Sequence, residues 1–404
     1  MSGRVAILSV YLVLVLVLAP SLPAGAAWLG ITIQDDVTAE GNRRNVKVID
    51  PGKDSPGSRA GIRAGDVIVS ADGVPVATSQ DFVRIIRETP AGKPVDIKVM
   101  REGAVVSLAP VPSEPPAGVA DLQQGLDNLQ KGRYEQAIAD FTKALERLPG
   151  SIEAYSGRAR AQEKLKRYDQ ALADYSKLIG INPQSPAAHV SRGHVFLDLK
   201  RYDEALQDFS KAIELKPDVA APYVARCNVY ILKGLHDRAI ADCSRAVELA
   251  PNMDIGYLLR AQSYAAKGMK QEASADFERA ARAYIDNGLA AARAGKYDEA
   301  LTRFSHASRL ETKHRPEAYC NRGVAYEKKG ENLKAVNDYS EAIRLKPDYT
   351  EAYLRRGYVF AQKLGDYSKA KQDWEKAAAL DPQGKTGEAA RKSLEALSKT
   401  PENH

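Results

Sequence analysis

A repeat interval of about 34 residues constrains this chain more than any other feature of its sequence. Ala137, Ala171, Ala205, Ala239 and Ala273 keep it, and Pro149, Pro183, Pro217 and Pro251 keep it in step. A unit of that length cannot bury a face alone, so copies must stack and share a continuous core. Each copy carries one small residue on its first helix (Gly125, Ala159, Gly193, Cys227, Ala261, Gly288, Gly323, Gly357). It lets that helix press against the alanine of the second. Phe141, Tyr175, Phe209, Phe277, Phe304, Tyr339 and Trp374 fill the space beside them. The proline ends the second helix, because the residue before it is turned out of the helical region.

This order of small residue, alanine, aromatic and proline resembles the tetratricopeptide repeat (TPR). The resemblance implies an all-α TPR solenoid of eight helical hairpins over residues 119–384, covered at its end by a capping helix over 385–399. Arg158, Arg192, Arg226, Arg260, Arg322 and Arg356 share one position in six repeats. Each is followed at a constant spacing, one longer in the last repeat, by Asp174, Asp208, Asp242, Asp276, Asp338 or Asp373. We read these as structural ion pairs between the two helices of a repeat. The sixth repeat has Asn287 and Arg303 instead and loses both partners. Its spacing is also short, since Ala300 follows Ala273 seven positions too soon. Seven missing residues are about two helical turns. One long helix from Lys270 to Ala294 is the favoured reading, with a tight turn at Asn287-Gly288 as the alternative.

Residues 28–109 alternate like strands: Ile31-Thr32-Ile33, Val46 to Ile49, Val67 to Val69, Val95 to Val99 and Val105 to Leu108. Asp72-Gly73 and Glu102-Gly103 mark tight hairpins. Ser79 can start a helix to about Glu88, with Phe82, Ile85 and Ile86 on its inner side. A small β-barrel-like α+β domain follows. Trp28-Leu29-Gly30-Ile31, Ser58 to Ile68 and Ala71 to Val76 resemble a PDZ domain of the type found in bacterial periplasmic heat-shock serine proteases. The resemblance implies a peptide adding as a strand beside Ile31-Thr32-Ile33. The amides of Leu29, Gly30 and Ile31 would receive its carboxylate. Trp28, Thr32, Ile33, Phe82 and Val83 would form the strand edge and the pocket. A purely structural role for Trp28, Leu29 and Ile31 in the core is the alternative. Gln80 and Asp81 stand where many PDZ helices read the ligand.

Residues 1–27 read as a cleaved secretory signal: Arg4, an apolar run from Val5 to Ala19, then small residues at Ala24 to Ala27. The alternative is an inner-membrane anchor over residues 5–27. Export to the periplasm or beyond is expected. Residues 110–118, rich in proline, read as a stiff linker.

Chemistry is conspicuous by omission. The chain holds 58 basic and 52 acidic residues, a formal charge of +6 with no basic block, which argues against nucleic acid. Its six histidines have no metal-ligand spacing, and no phosphate-binding loop is present. No enzyme, cofactor, metal or small-molecule substrate is expected. Three cysteines are too few for a disulfide scaffold. Cys227 and Cys243 of the fourth repeat are left open between a disulfide and two thiols. Thiols are favoured because the positions can sit one turn out of register.

The partners expected are proteins or peptides, held by a non-enzymatic adaptor or scaffold. Alternatives are a structural subunit of an envelope or secretion assembly and a regulatory partner of a separate envelope protease. The repeat groove is assigned to Val190, His194, Leu197, Val224, Asn228, Ile231, Leu258 and Gln262. These are apolar with a few amide and imidazole groups, and suit an extended apolar segment.

Overall fold

The computed structural model describes residues 29–37, 44–113 and 117–398. Trp28, the leader expected over 1–27 and the residues from 399 on lie outside the described residues. The chain divides into two compact units, Met1–Val195 and Phe196–His404, each treated by itself below.

The first domain is one antiparallel sheet in the order β1-β2-β3-β5-β6, with β4 paired to β3. Its strands are β1 (Thr32–Val37), β2 (Arg44–Asp50), β3 (Val67–Ala71), β4 (Val74–Pro75), β5 (Ile97–Arg101) and β6 (Ala104–Leu108). A short helix α1 (Pro56–Arg59) follows β2, and α2 (Ser79–Glu88) follows β4. Both hairpin pairs foreseen from sequence have positive φ at each central residue: Asp72 at 47° with Gly73 at 77°, and Glu102 at 50° with Gly103 at 83°. Such turns match the twist of the strands they join. Alternate side chains from the sheet meet Phe82, Ile85 and Ile86 of α2 in one core with Leu29, Val46, Val48, Val95, Ile97 and Val99. The cap of α2 is Thr78, not Ser79. Its hydroxyl accepts from the Asp81 amide, while the Asp81 carboxylate accepts from the Thr78 amide.

The prolines after Ala109 do not stand free as a spacer. Val95 donates its amide to the Pro110 carbonyl at 3.0 Å and Gly92 to Pro112 at 2.7 Å. Residues 110–113 therefore lie along the small domain, because prolines that cannot donate can still accept from a neighbouring strand. Helix begins again at Ala117.

Helices then follow in hairpins: α3 (Ala117–Gln130) with α4 (Tyr134–Arg147), α5 (Ile152–Lys164) with α6 (Tyr168–Ile181), and α7 (Pro186–Asp198) before α8 (Tyr202–Leu215). In the second unit come α9 (Ala220–Leu232), α10 (His236–Leu249), α11 (Asp254–Ala266), α12 (Lys270–Arg293), α13 (Tyr297–Arg309), α14 (Arg315–Lys328) and α15 (Asn332–Leu345). Then follow α16 (Thr350–Val359), α17 (Tyr367–Leu380) and α18 (Lys385–Ser398). The short interval before Ala300 is taken up by α12, a single helix of 24 residues. Its first half closes the fifth hairpin and its second half opens the sixth. The extra residue of the last repeat is absorbed by a π-helical turn, Phe360–Leu364, that ends on left-handed Gly365. Ala390, Leu394 and Leu397 of α18 pack on Trp374 and Ala377, covering that end of the core.

The packing shows why the repeat residues have their types. A methyl added at Gly125 would sit 2.7 Å from the Phe141 ring. At Gly288 it would lie 2.6 Å from Phe304, at Gly323 2.7 Å from Tyr339, and at Gly357 2.5 Å from Trp374. Each glycine lies flat against the aromatic of its own hairpin's second helix. In the fourth repeat these two positions are Cys227 and Cys243, and they are bonded, with Cα atoms 5.7 Å apart. The favoured reading of two thiols is thus overturned. The helix phase that brings glycine onto the ring brings one sulfur onto the other. Cys320 is free and buried, and burial pushes its thiol up to about 12.

Candidate functional site

Two surfaces concern function: the edge of β1 and the first helices of the repeats. Among the described residues β1 has β2 on one side only, so its other edge is the free margin of the described sheet. The loop leading into it is shaped by close backbone approach. Gly30 has φ 65°, and the Leu29 carbonyl accepts from the Gly57 amide of α1 at 2.9 Å. A methyl on Gly52 would lie 2.3 Å from the Gly30 carbonyl oxygen, and one on Gly57 would lie 2.4 Å from Ile31. Among the described residues, none accepts from the backbone amides of Gly30 and Ile31.

The side chains assigned to this loop and its pocket face one another. Leu29, Ile31, Ile33 and Phe82 are at most 3% exposed and belong to the core, with Val83 packed against it. Thr32 is half-buried on the strand. The purely structural role considered for Leu29 and Ile31 is therefore real for their side chains. The backbone of the loop carries what chemistry there is. Asp81 is committed to the cap of α2 and Gln80 is exposed. A contact that the sequence does not suggest joins strand to helix. Asp35 of β1 accepts from the Ser79 amide at 2.6 Å and from its hydroxyl at 3.1 Å.

The Gly65-Asp66 pair of the PDZ-like motif has a structural task. Asp66 is buried, receives both Nε and Nη2 of Arg101 at 2.7 Å, and accepts from the Arg63 amide. Burial pushes this carboxyl up, but the Arg101 hydrogen bonds, the Arg63 amide and both positive charges outweigh it and hold it low.

In the helical repeats, every Arg–Asp pair of the pattern whose members lie in one unit is formed. Arg158–Asp174, Arg226–Asp242, Arg260–Asp276, Arg322–Asp338 and Arg356–Asp373 are all two-pronged, with bonds of 2.6–3.0 Å. The remaining guanidinium nitrogen reaches back to a hydroxyl of the preceding repeat: Thr142, Ser210, Ser244, Ser305 with Ser308, and Ser340 respectively. Arg192 likewise reaches Ser176. Each of those five arginines therefore ties its own hairpin and the one before it. Tyr155, Tyr223, Tyr257, Tyr319 and Tyr353 lie under the same guanidinium groups at 5.1–6.0 Å. The sixth repeat lacks the pair within itself, as its Asn287 and Arg303 imply. Arg303 and Asn287 instead both donate to Asp254 of the fifth repeat, at 2.6 and 2.9 Å, so the ion pair joins two repeats.

The predicted groove residues lie on α7, α9 and α11 as expected. Their exposure is uneven. Val224 and Ile231 pack against the Cys227–Cys243 cluster, and Leu258 packs against the cluster around Tyr284 and Phe304. Val190, Leu197 and Asn228 are half-buried, while His194 and Gln262 are exposed. Replacing Val224 or Leu258 would disturb the hairpins themselves. For these residues the apolar stripe is continuous with the seam between helices. Among the described residues no group of His, Cys, Asp and Glu could hold a metal ion, and no helix is long and apolar enough to cross a membrane.

A small sheet with a free edge beside a helix, followed by interlocked helical hairpins, defines a modular protein-interaction chain. Family models specify the modules. A PDZ domain matches residues 28–109, and tetratricopeptide repeats match 122–186, 186–219, 316–349 and 350–383. The chain is a PDZ domain followed by TPR repeats, an adaptor or scaffold architecture.

Among curated proteins it is similar to a probable periplasmic serine endoprotease DegP-like of Halomonas elongata, 29% identical over 148 residues. That match covers 32% of this chain and 31% of the relative. It is also similar to the regulator of sigma-E protease RseP of Salmonella typhimurium, 37% identical over 84 residues, covering 20% and 18%. The chain thus spans less than a third of the length of these relatives. Among solved structures it is similar to the MamA protein (22% identity, TM-score 0.39, covering 41% of this chain and 91% of that one). It is also similar to YrrB, a TPR protein with an unusual peptide-binding site (24%, TM-score 0.31, 52% and 95%).

Proposed function

We propose that this protein is an exported, non-enzymatic scaffold whose PDZ domain captures the C-terminus of a partner protein while its repeats hold a second segment. The observation that carries the first half is the entry to β1. There, the unclaimed amides of Gly30 and Ile31 stand at the head of a free strand edge. A carboxylate would be met by those donors, and the chain behind it would continue the sheet. Leu29, Ile31 and Ile33 hold that backbone in place from below. Export is supported by the Cys227–Cys243 bond, which persists in oxidising compartments, and by periplasmic relatives of the PDZ part. Within the second unit, the first helices α9 and α11 are the proposed seat of the second segment, with Asn228 and Gln262 as its polar contacts.

The test compares one peptide in two forms, with a free C-terminal carboxylate and with a C-terminal amide, against the full chain by calorimetry. The amide should bind at least about tenfold more weakly, the loss of one charge-assisted hydrogen-bond set. Equal affinities would remove the carboxylate site.

A further inference from the structure

The inner row of β1 reads Ile31, Ile33, Asp35, so an acid ends a row that is otherwise apolar. Its carboxylate does not turn to solvent. It crosses from the strand to the first residue of α2, taking both the amide and the hydroxyl of Ser79, which is 2% exposed. The helix does not need Asp35 to begin. Thr78 and Asp81 already form a reciprocal cap there. The contact satisfies the Ser79 amide, which that cap leaves open, and it ties β1, four residues beyond Ile31, to the first residue of α2.

We infer that Asp35 and Ser79 form a stop that limits strand addition to the last three residues of a ligand. The inference rests on the peptide-binding reading above. Strand pairing is residue against residue. A carboxylate at the amides of Gly30 and Ile31 sets the final ligand residue opposite Ile31 and the two before it opposite Thr32 and Ile33. A longer chain runs past Gln34 and meets the Asp35 side chain crossing to α2. It must then leave the sheet, or break two hydrogen bonds to a buried serine. Selectivity of this domain therefore resides in a very short C-terminal signature, and residues further back in the partner contribute nothing to affinity.

The experiment uses the full chain and N-acetylated peptides of three, four, six and eight residues. All end in a valine carboxylate preceded by alternating alanine and serine. In the wild type, affinity should stay level from three residues to eight. In Asp35→Ala the eight-residue peptide should bind about five- to tenfold more tightly than the four-residue one, the worth of one or two added backbone hydrogen bonds. The three-residue peptide should bind both proteins alike. Ser79→Ala, which keeps the amide bond and loses the hydroxyl bond, is the second variant and should show a smaller gain. Exchange protection of the α2 amides reports whether either variant keeps its fold. A wild type that gains from four to eight residues as much as Asp35→Ala overturns the stop and leaves the peptide site standing. Equal binding of amidated peptides, or no binding of any peptide to either protein, overturns both.

Discussion

In the fourth repeat a covalent bond stands where four other repeats have glycine against a ring, and this substitution has a measurable cost. The bond closes a segment with a sequence separation of 16. A loop of that size contributes about 3 kcal/mol when cross-linked. In the other repeats the same seam is filled by a buried aromatic, whose loss costs about 3–5 kcal/mol. The two devices are of similar worth, so one should be able to replace the other. Reduction of the wild type should loosen α9 and α10 locally, because repeats are stabilised mainly by their neighbours. Hydrogen exchange of peptides from those two helices, followed by mass spectrometry, should accelerate by up to about a hundredfold on adding reductant. The double variant Cys227→Gly/Cys243→Phe should exchange slowly whether or not reductant is present. Denatured without reductant, the wild type should show one free thiol, that of Cys320. Three thiols, or a variant as sensitive to reductant as the wild type, would refute the equivalence.

The ion pairs and the seams give further measurable outcomes. Arg322→Ala strands the Asp338 carboxylate, whose side chain is 7% exposed, and should cost about 3–5 kcal/mol in urea denaturation. Replacing both by leucine should cost much less. The folded carboxyl of Asp66 titrates below its ordinary value of 3.8, so its contribution is whole above that value and is lost as pH falls through the lowered one. Amide resonances of the PDZ domain, followed in urea between pH 5 and 2, should show this acid limb, and Arg101→Ala should abolish it. Gly323→Ala would bring a methyl to 2.7 Å from Tyr339 and should lower stability by about 1–3 kcal/mol in the same denaturation assay.

The architecture is legible because both modules write their packing into local sequence. A glycine that must lie on a ring recurs at a fixed spacing before that ring, and an Asp-Gly pair with two positive φ values announces its own hairpin. What escapes a reading of the sequence is partnership across distance. Asp35 and Ser79 are 44 residues apart, and Arg303 finds Asp254 49 residues earlier, in a repeat to which it does not belong. The hydroxyls that receive the repeat arginines are equally hidden. Serine and threonine are common on helix surfaces, and only their placement beneath a guanidinium gives them a task. The cysteine bond is undecided by sequence for a different reason: helix phase settles it, and a phase error of one turn reverses the answer. Pro110 and Pro112 mislead because composition alone suggests a spacer, whereas their carbonyls complete hydrogen bonds of the domain they follow.

The shared helix α12 changes how this array can come apart. A rod of 24 residues is about 36 Å long. Ordinary repeats could be removed or duplicated in whole hairpins, leaving the seams on either side able to meet. The fifth and sixth cannot, since neither owns its helix outright. Unwinding one end of α12 shortens the rod on which the other hairpin is built, so a break that begins at α11 is passed to α13 instead of stopping at a loop. The Asp254–Arg303 bond spans the same junction and ties the two fates together. Where the rest of the solenoid is a stack of interchangeable parts, the stretch from α11 to α13 behaves as one piece.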